Sequence, residues 1–290
     1  MASSSEVYFY AAVGARVHIF SVDEAGVALN RAGEFELPAW VQYAWRHPSL
    51  PILYVVSSDG GPALGGRPGE VHHASALAID PNSGLLSPLG LPVRLPARPI
   101  HCSVDGRGEY LLTAFNDPSG VSVHRLAPTG EIGAEVEQTD EIECGIYAHQ
   151  VLTTPSNRTV IVAARGHDAT ADRAEDPGAL YVFDFVAGRL GPVQRVAPGD
   201  GSGYGFGPRH LDFHPSGSWV AVSVERQDQL QVYRVGEDGR LSPSPLFTRE
   251  ALSRPDARKG PQMSSAVRAH ANGRFVYQAN ITDRLRLGED

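Results

Sequence analysis

The chain has 290 residues, 42% hydrophobic and 20% charged, with a formal net charge of −8. That length suits one large β domain or two smaller ones. The acidic balance argues against nucleic-acid binding, because phosphate neutralisation needs a basic face.

No apolar run approaches the roughly 18–20 residues that span a bilayer, so no membrane association is expected. The opening "MASSSEVYFYAAVGARVHIF" lacks a basic segment followed by an uninterrupted apolar one, so it does not read as a secretory signal. Two cysteines, Cys102 and Cys144, are too few for a disulfide framework, and a reduced, cytoplasmic protein is the expectation.

In chain order, "VYFYAAVGARVHIFSVD" predicts two strands. A recurring unit then begins: a turn carrying Pro, Gly or Asn, a hydrophobic strand, and an alternating strand after it. Its starts are "HPSLPILYVVS" at His47, "VDGRGEYLLTA" at Val104, "TPSNRTVIVAA" at Thr154, "HPSGSWVAVSV" at His214 and "HANGRFVYQAN" at His270. Segments such as "GALYVFDFVAGRL" and "DQLQVYRVGEDGRL" alternate apolar and polar residues, the mark of half-buried antiparallel strands. A self-similar unit of roughly 50–60 residues holding about four strands predicts the blade of a β-propeller. A β-sandwich with accidental self-similarity is the plainer alternative.

Polar or Gly-rich linkers separate the strands at 58–73, 165–178, 197–207 and 249–262. Linkers of this size in a compact domain line a functional rim or are mobile surface. "GDGSGYGFG" within the third lacks the Lys-Ser/Thr of a phosphate-binding P-loop. His72 and His73 have no partners at metal-ligand spacing, so neither metal nor cofactor is expected.

Three segments resemble the propeller lactonases, the family typified by propeller-type 6-phosphogluconolactonase and the carboxymuconate lactonizing enzyme. They are "PIHCSVDGRGEYLLTAFNDPSGVSVHRL" (99–126), "YAHQVLTTPSNRTVIVAARG" (147–166) and "GPRHLDFHPSGSWVAVSVERQDQLQVYRV" (207–235), with "HANGRFVYQAN" a weaker fourth. The resemblance implies an all-β, seven-bladed propeller of the lactonase type with its site in a central cleft. The resemblance runs from residue 6 to about residue 280, and it implies a single domain, 1–290, that lacks the end of blade six, blade seven and the closing strand. Residues 281–290 form an atypical tail: Ile281 stands where the family carries a basic residue, and Arg284 and Arg286 follow it. An open propeller edge of that kind predicts self-association.

The same resemblance implies His149, Arg209 and Glu225 as catalytic residues; His101, Arg165 and His210 are further candidates for substrate contact. Arg209 offers a planar, permanently charged fork for carboxylate or phosphate; its alternative is a salt bridge between blades. Glu225 near the axis suits proton transfer, and otherwise pairs with Arg209 or Arg226. Histidine is the side chain whose unperturbed pKa lies near neutrality, so His149 suits proton transfer or an oxyanion contact. His47 and His214 belong to their turns.

Three functions fit these residues. The first is metal-independent hydrolysis of a small anionic sugar-acid or organic-acid lactone. The second is lactonization of a muconate-like substrate. The third is a non-catalytic propeller that binds a partner or ligand, since fold alone does not imply catalysis.

Overall fold

The computed structural model describes residues 7–61, 66–253 and 262–282, and every regular element in them is a β-strand. The chain divides into two compact units, Met1–Asp117 with Ser122–Val136, and Pro118–Val121 with Glu137–Asp290.

In the first unit, β1 (Tyr8–Val13), β2 (Arg16–Asp23) and β3 (Ala28–Glu36) form an antiparallel sheet. A second sheet runs β4 (Trp40–Arg46), β5 (Ile52–Ser58), β6 (His72–Ile79) and β7 (Leu86–Pro88), with β8 (Val93–Arg94) also paired to β6. The third holds β9 (Pro99–Val104), β10 (Tyr110–Asn116), β11 (Ser119–Leu126) and β12 (Ile132–Glu135), the start of β11 belonging to the second unit.

The second unit repeats the plan. One sheet is β13 (Ala148–Thr153), β14 (Thr159–Ala164), β15 (Ala179–Val186) and β16 (Arg189–Val196). The next is β17 (Pro208–Phe213), β18 (Trp219–Val224), β19 (Gln229–Arg234) and β20 (Phe247–Glu250). β21 (Gln262–Ala269) pairs with β22 (Val276–Thr282). Of the predicted tail, Ile281 is an exposed residue of β22, and 283–290, with Arg284 and Arg286, lie outside the described residues.

The second strand of each of the four larger sheets explains the continuous apolar runs. β5, β10 and β14 are buried at every position, and β18 at all but its first. A strand alternates when one face meets water and loses its alternation when both faces are covered. The cover comes from the first strand of the following sheet. Within the first unit β4 packs on β1 and β2, and β9 on β4 and β5; within the second, β17 packs on β13 and β14, and β21 on β17 and β18. Burying a Val, Leu or Ile side chain this way contributes about 1.5–3 kcal/mol.

The five repeat starts fold as one recurring turn. The backbone N–H of His47, Asp105, Thr154, His214 and His270 donates to the carbonyl of Ile52, Tyr110, Thr159, Trp219 and Phe275, at 2.8–3.0 Å. In the last four, a residue three positions on donates back to the turn's first carbonyl. These residues, Gly108, Asn157, Gly217 and Gly273, all have positive φ, which explains the Gly and Asn of the pattern. The histidines earn their place at both nitrogens. In His214, Nδ1 accepts the Ser216 N–H (3.1 Å) and Nε2 meets the Gly273 carbonyl (2.9 Å) of the next turn. His47 does the same with Leu50 (2.9 Å) and Gly108 (3.2 Å). Both are structural latches, as expected.

Candidate active site

The second unit gathers five of the six predicted residues. Two come from bulges. β13 pairs Ala148 with Ala164 and Gln150 with Ala163, so His149 is an extra residue with no opposite number. β17 pairs Pro208 with Val224 and His210 with Ser223, which leaves Arg209 extra in the same way. A bulge bends its strand and re-aims one side chain. It recurs at Gln42 in β4, Ile100 in β9 and between Ser264 and Val267 in β21.

Two others come from the far end of the second strand. Arg165 directly follows β14 and Glu225 directly follows β18. Their side chains meet: Arg165 Nε donates to Glu225 Oε1 at 2.7 Å, and Arg209 Nε meets Glu225 Oε2 at 2.5 Å. One carboxylate, 7% exposed, therefore joins two guanidiniums that are 13% and 18% exposed. Burial alone would weaken the charge on Arg165, but Glu225 and Asp168 outweigh it and hold its pKa above the ordinary arginine value.

His210, the residue after the bulge, is buried with its ring edge-on to His149, centroids 4.9 Å apart. Desolvation first, then the positive charges of Arg209 and Arg268, push its pKa down to about 3, against a hydrogen bond to the Ser265 backbone. His210 is thus neutral at physiological pH. Its Nδ1 lies 3.4 Å from Arg209 NH1, which also donates to Ser265 Oγ at 2.6 Å. The acceptor role of Nδ1 follows from this network.

The linkers at 165–178 and 197–207 border this group. Asp168 Oδ2 accepts from Arg165 NH2 at 2.9 Å, and Asp168 Oδ1 lies 2.9 Å from Arg226 Nε. Arg226 NH1 donates to Glu175 (2.9 Å) and NH2 to the Asp176 carbonyl (3.1 Å). Glu175 also accepts the Gly205 N–H, tying the two linkers together. His167 pairs with Asp176 at 2.9 Å and packs edge-on against Tyr147, whose ring faces Arg165. Gly207 of "GPRH" has a steric role here: a Cβ there would come 2.5 Å from the Arg226 stem.

His101 is in the first unit, fully buried, with its ring 4.2 Å from Tyr43 and 5.7 Å from Trp45. Arg226, Asp168 and Glu175 were not singled out as site residues by the sequence. The 165–178 linker carries two of them, but nothing in the pattern shows that its acids turn back onto arginines.

A bulge-presented His and Arg thus lie beside one Arg–Glu–Arg array, on sheets that repeat the same bulge position. The family described as "Lactonase, 7-bladed beta-propeller" matches residues 7–285. The chain belongs to that family. Its fold is accordingly the β-propeller of the lactonase type.

Among curated lactonase relatives, the 6-phosphogluconolactonase of Serratia proteamaculans is 27% identical over 277 residues, covering 95% of this chain and 74% of that protein. That of Yersinia pestis is 24% identical over 280 residues, covering 96% and 74%. The chain thus spans about three quarters of these relatives' length. Among solved structures, the Pseudomonas aeruginosa periplasmic gluconolactonase PpgL superposes with a TM-score of 0.70 at 23% identity, over 91% of this chain and 71% of that one. A 6-phosphogluconolactonase-like protein from Bacteroides uniformis gives 0.65 at 20% identity, over 91% and 71%. These likenesses support the fold.

Proposed function

We propose that this chain hydrolyses the lactone ring of a small anionic substrate of sugar-acid or organic-acid type. The observation that carries the reading is the Arg165–Glu225–Arg209 array beside the His149–His210 pair, in a chain whose relatives are named 6-phosphogluconolactonases. Arg209 holds the lactone carbonyl oxygen, where negative charge develops when water adds to the carbon. The acyl–oxygen bond then breaks and the ring oxygen takes a proton, giving the hydroxy acid.

His149 is the residue for that proton transfer, because its partner His210 is neutral and so adds no positive charge against it. Glu225 has both oxygens engaged by guanidiniums, which is a poor state for a base. Its primary role is to aim Arg165 and Arg209. It becomes available to activate water only when substrate draws one arginine away.

The test is direct. Purified chain is given 6-phosphogluconolactone and a neutral sugar lactone, with acid release followed continuously and corrected for spontaneous opening. Enzyme-dependent opening that Arg209→Ala and His149→Ala each reduce supports the assignment. A folded protein that opens neither lactone above background overturns it.

A further inference from the structure

Arg165 and Arg226 converge on one exposed carboxylate. Asp168 is 61% exposed, whereas the two arginine side chains are 13% and 5% exposed. Each Asp168 oxygen faces a different guanidinium: Oδ2 accepts from Arg165 NH2, and Oδ1 sits against Arg226 Nε, both at 2.9 Å. The second contact is an ion pair without hydrogen-bond alignment, so the buried Arg226 Nε–H has no aligned acceptor.

The other arms are fixed. Arg165 is held by Glu225 and the Gly166 carbonyl, and Arg226 by Glu175 and the Asp176 carbonyl. Gly207, with no side chain, lets the Arg226 stem pass. Two guanidiniums pinned from behind and bridged by an oxyanion at the front are the geometry of a carboxylate or phosphate site.

We propose that the place filled by the Asp168 carboxylate, between Arg165 and Arg226, is the seat of the ligand's anionic group, which displaces Asp168 as it binds. The proposal rests on the lactonase reading for its substrate class and deepens it. Arg209 takes the carbonyl, while Arg165 and Arg226 select a phosphorylated or carboxylated substrate over a neutral one. Displacement is feasible because the Asp168 carboxylate is itself solvent-exposed and Arg226 Nε gives it no aligned hydrogen bond. A phosphate dianion brings more charge and more acceptor oxygens than the single carboxylate it replaces. Asp168 then acts as an internal competitor that neutral molecules do not dislodge.

The experiment is a calorimetric titration of the full chain with inorganic phosphate, comparing wild type, Asp168→Ala and Asp168→Ala/Arg226→Gln. Removing the competitor should tighten phosphate binding roughly tenfold, and the added Arg226→Gln should abolish that gain. Asp168 is exposed, so its replacement leaves the core intact. With lactones, Asp168→Ala should lower KM for the phosphorylated substrate and leave KM for the neutral one unchanged.

Phosphate affinity that Asp168→Ala leaves unchanged or weakens overturns the proposal, even if lactones are opened. Tighter phosphate binding in a chain that opens no lactone keeps the anion site and removes the lactonase reading instead. The two failures are therefore separable.

Discussion

Arg165 and Glu225 occupy the same place in successive four-stranded sheets, the first residue after the second strand, and their side chains meet at 2.7 Å. His149 and Arg209 likewise share the bulge position of the first strand. Two repeated backbone positions thus supply four of the candidate site side chains.

Glu225→Gln keeps the shape of the array and removes its negative charge. Arg209 then loses its Glu225 counter-charge while Arg165 keeps Asp168, and the cost should be about 3 kcal/mol, the low end for breaking a buried pair from one side. Urea denaturation measures it. The double change Arg165→Gln/Glu225→Gln should cost less than the two single changes summed, because the surviving pairings differ.

His210 makes stability fall in acid. Its folded pKa of about 3 lies below the ordinary value of 6.5, so between these pH values the unfolded chain binds a proton that the folded chain refuses. Its contribution is intact above pH 6.5 and declines as pH falls toward 3, by up to about 1.4 kcal/mol per unit. Burial lowers His72 and His124 as well, and they act in the same sense. Asp212 opposes them: burial raises its pKa, so its stabilising share is present in acid and is lost as pH rises through that raised value. Denaturation curves between pH 4 and 7 should show a shallower slope for His210→Gln than for wild type.

The turn latch has its own test. Gly273 has φ +69, and a Cβ there would come 2.5 Å from His214 Nε2, the atom that meets the Gly273 carbonyl. Gly273→Ala should destabilise by about 1–3 kcal/mol through strain and the displaced histidine. Gly199 also has positive φ, but a Cβ there has nothing within 4 Å. Gly199→Ala should therefore cost only the backbone share, about 1 kcal/mol. Thermal melts of the two variants separate latch from strain.

Arg209→Lys keeps the charge and loses the planar fork that spans Glu225 and Ser265. Lactone opening should fall about 10²–10³-fold in kcat/KM, the range for loss of one oxyanion donor. Circular dichroism should show an unchanged sheet signal.

The repeat was legible because its turns need particular residues. A histidine that binds backbone on both sides, followed by a glycine with positive φ, leaves a trace in any sequence, and the doubly covered strands leave theirs in runs such as "VIVAA". Arg209 and Glu225 were legible through the family resemblance of the "GPRHLDFHPSGSWVAVSVE" segment. The bulges did not show, because the extra residue is His in one blade, Arg in another and Ile in a third. Arg226 and Asp168 were hidden for a different reason: they meet across 58 positions through a linker with no periodic pattern.

The bulges carry one more consequence. Because His149 has no opposite number, deleting it would let β13 pair with β14 continuously while the partners on either side keep their register. Most deletions inside a strand reverse which residues face inward and wreck the sheet. Here the missing residue would heal the ladder instead. Such a shortened chain should keep its sheet while losing the side chain proposed for proton transfer, so the proposed role of His149 and the integrity of the fold can be parted by a single codon.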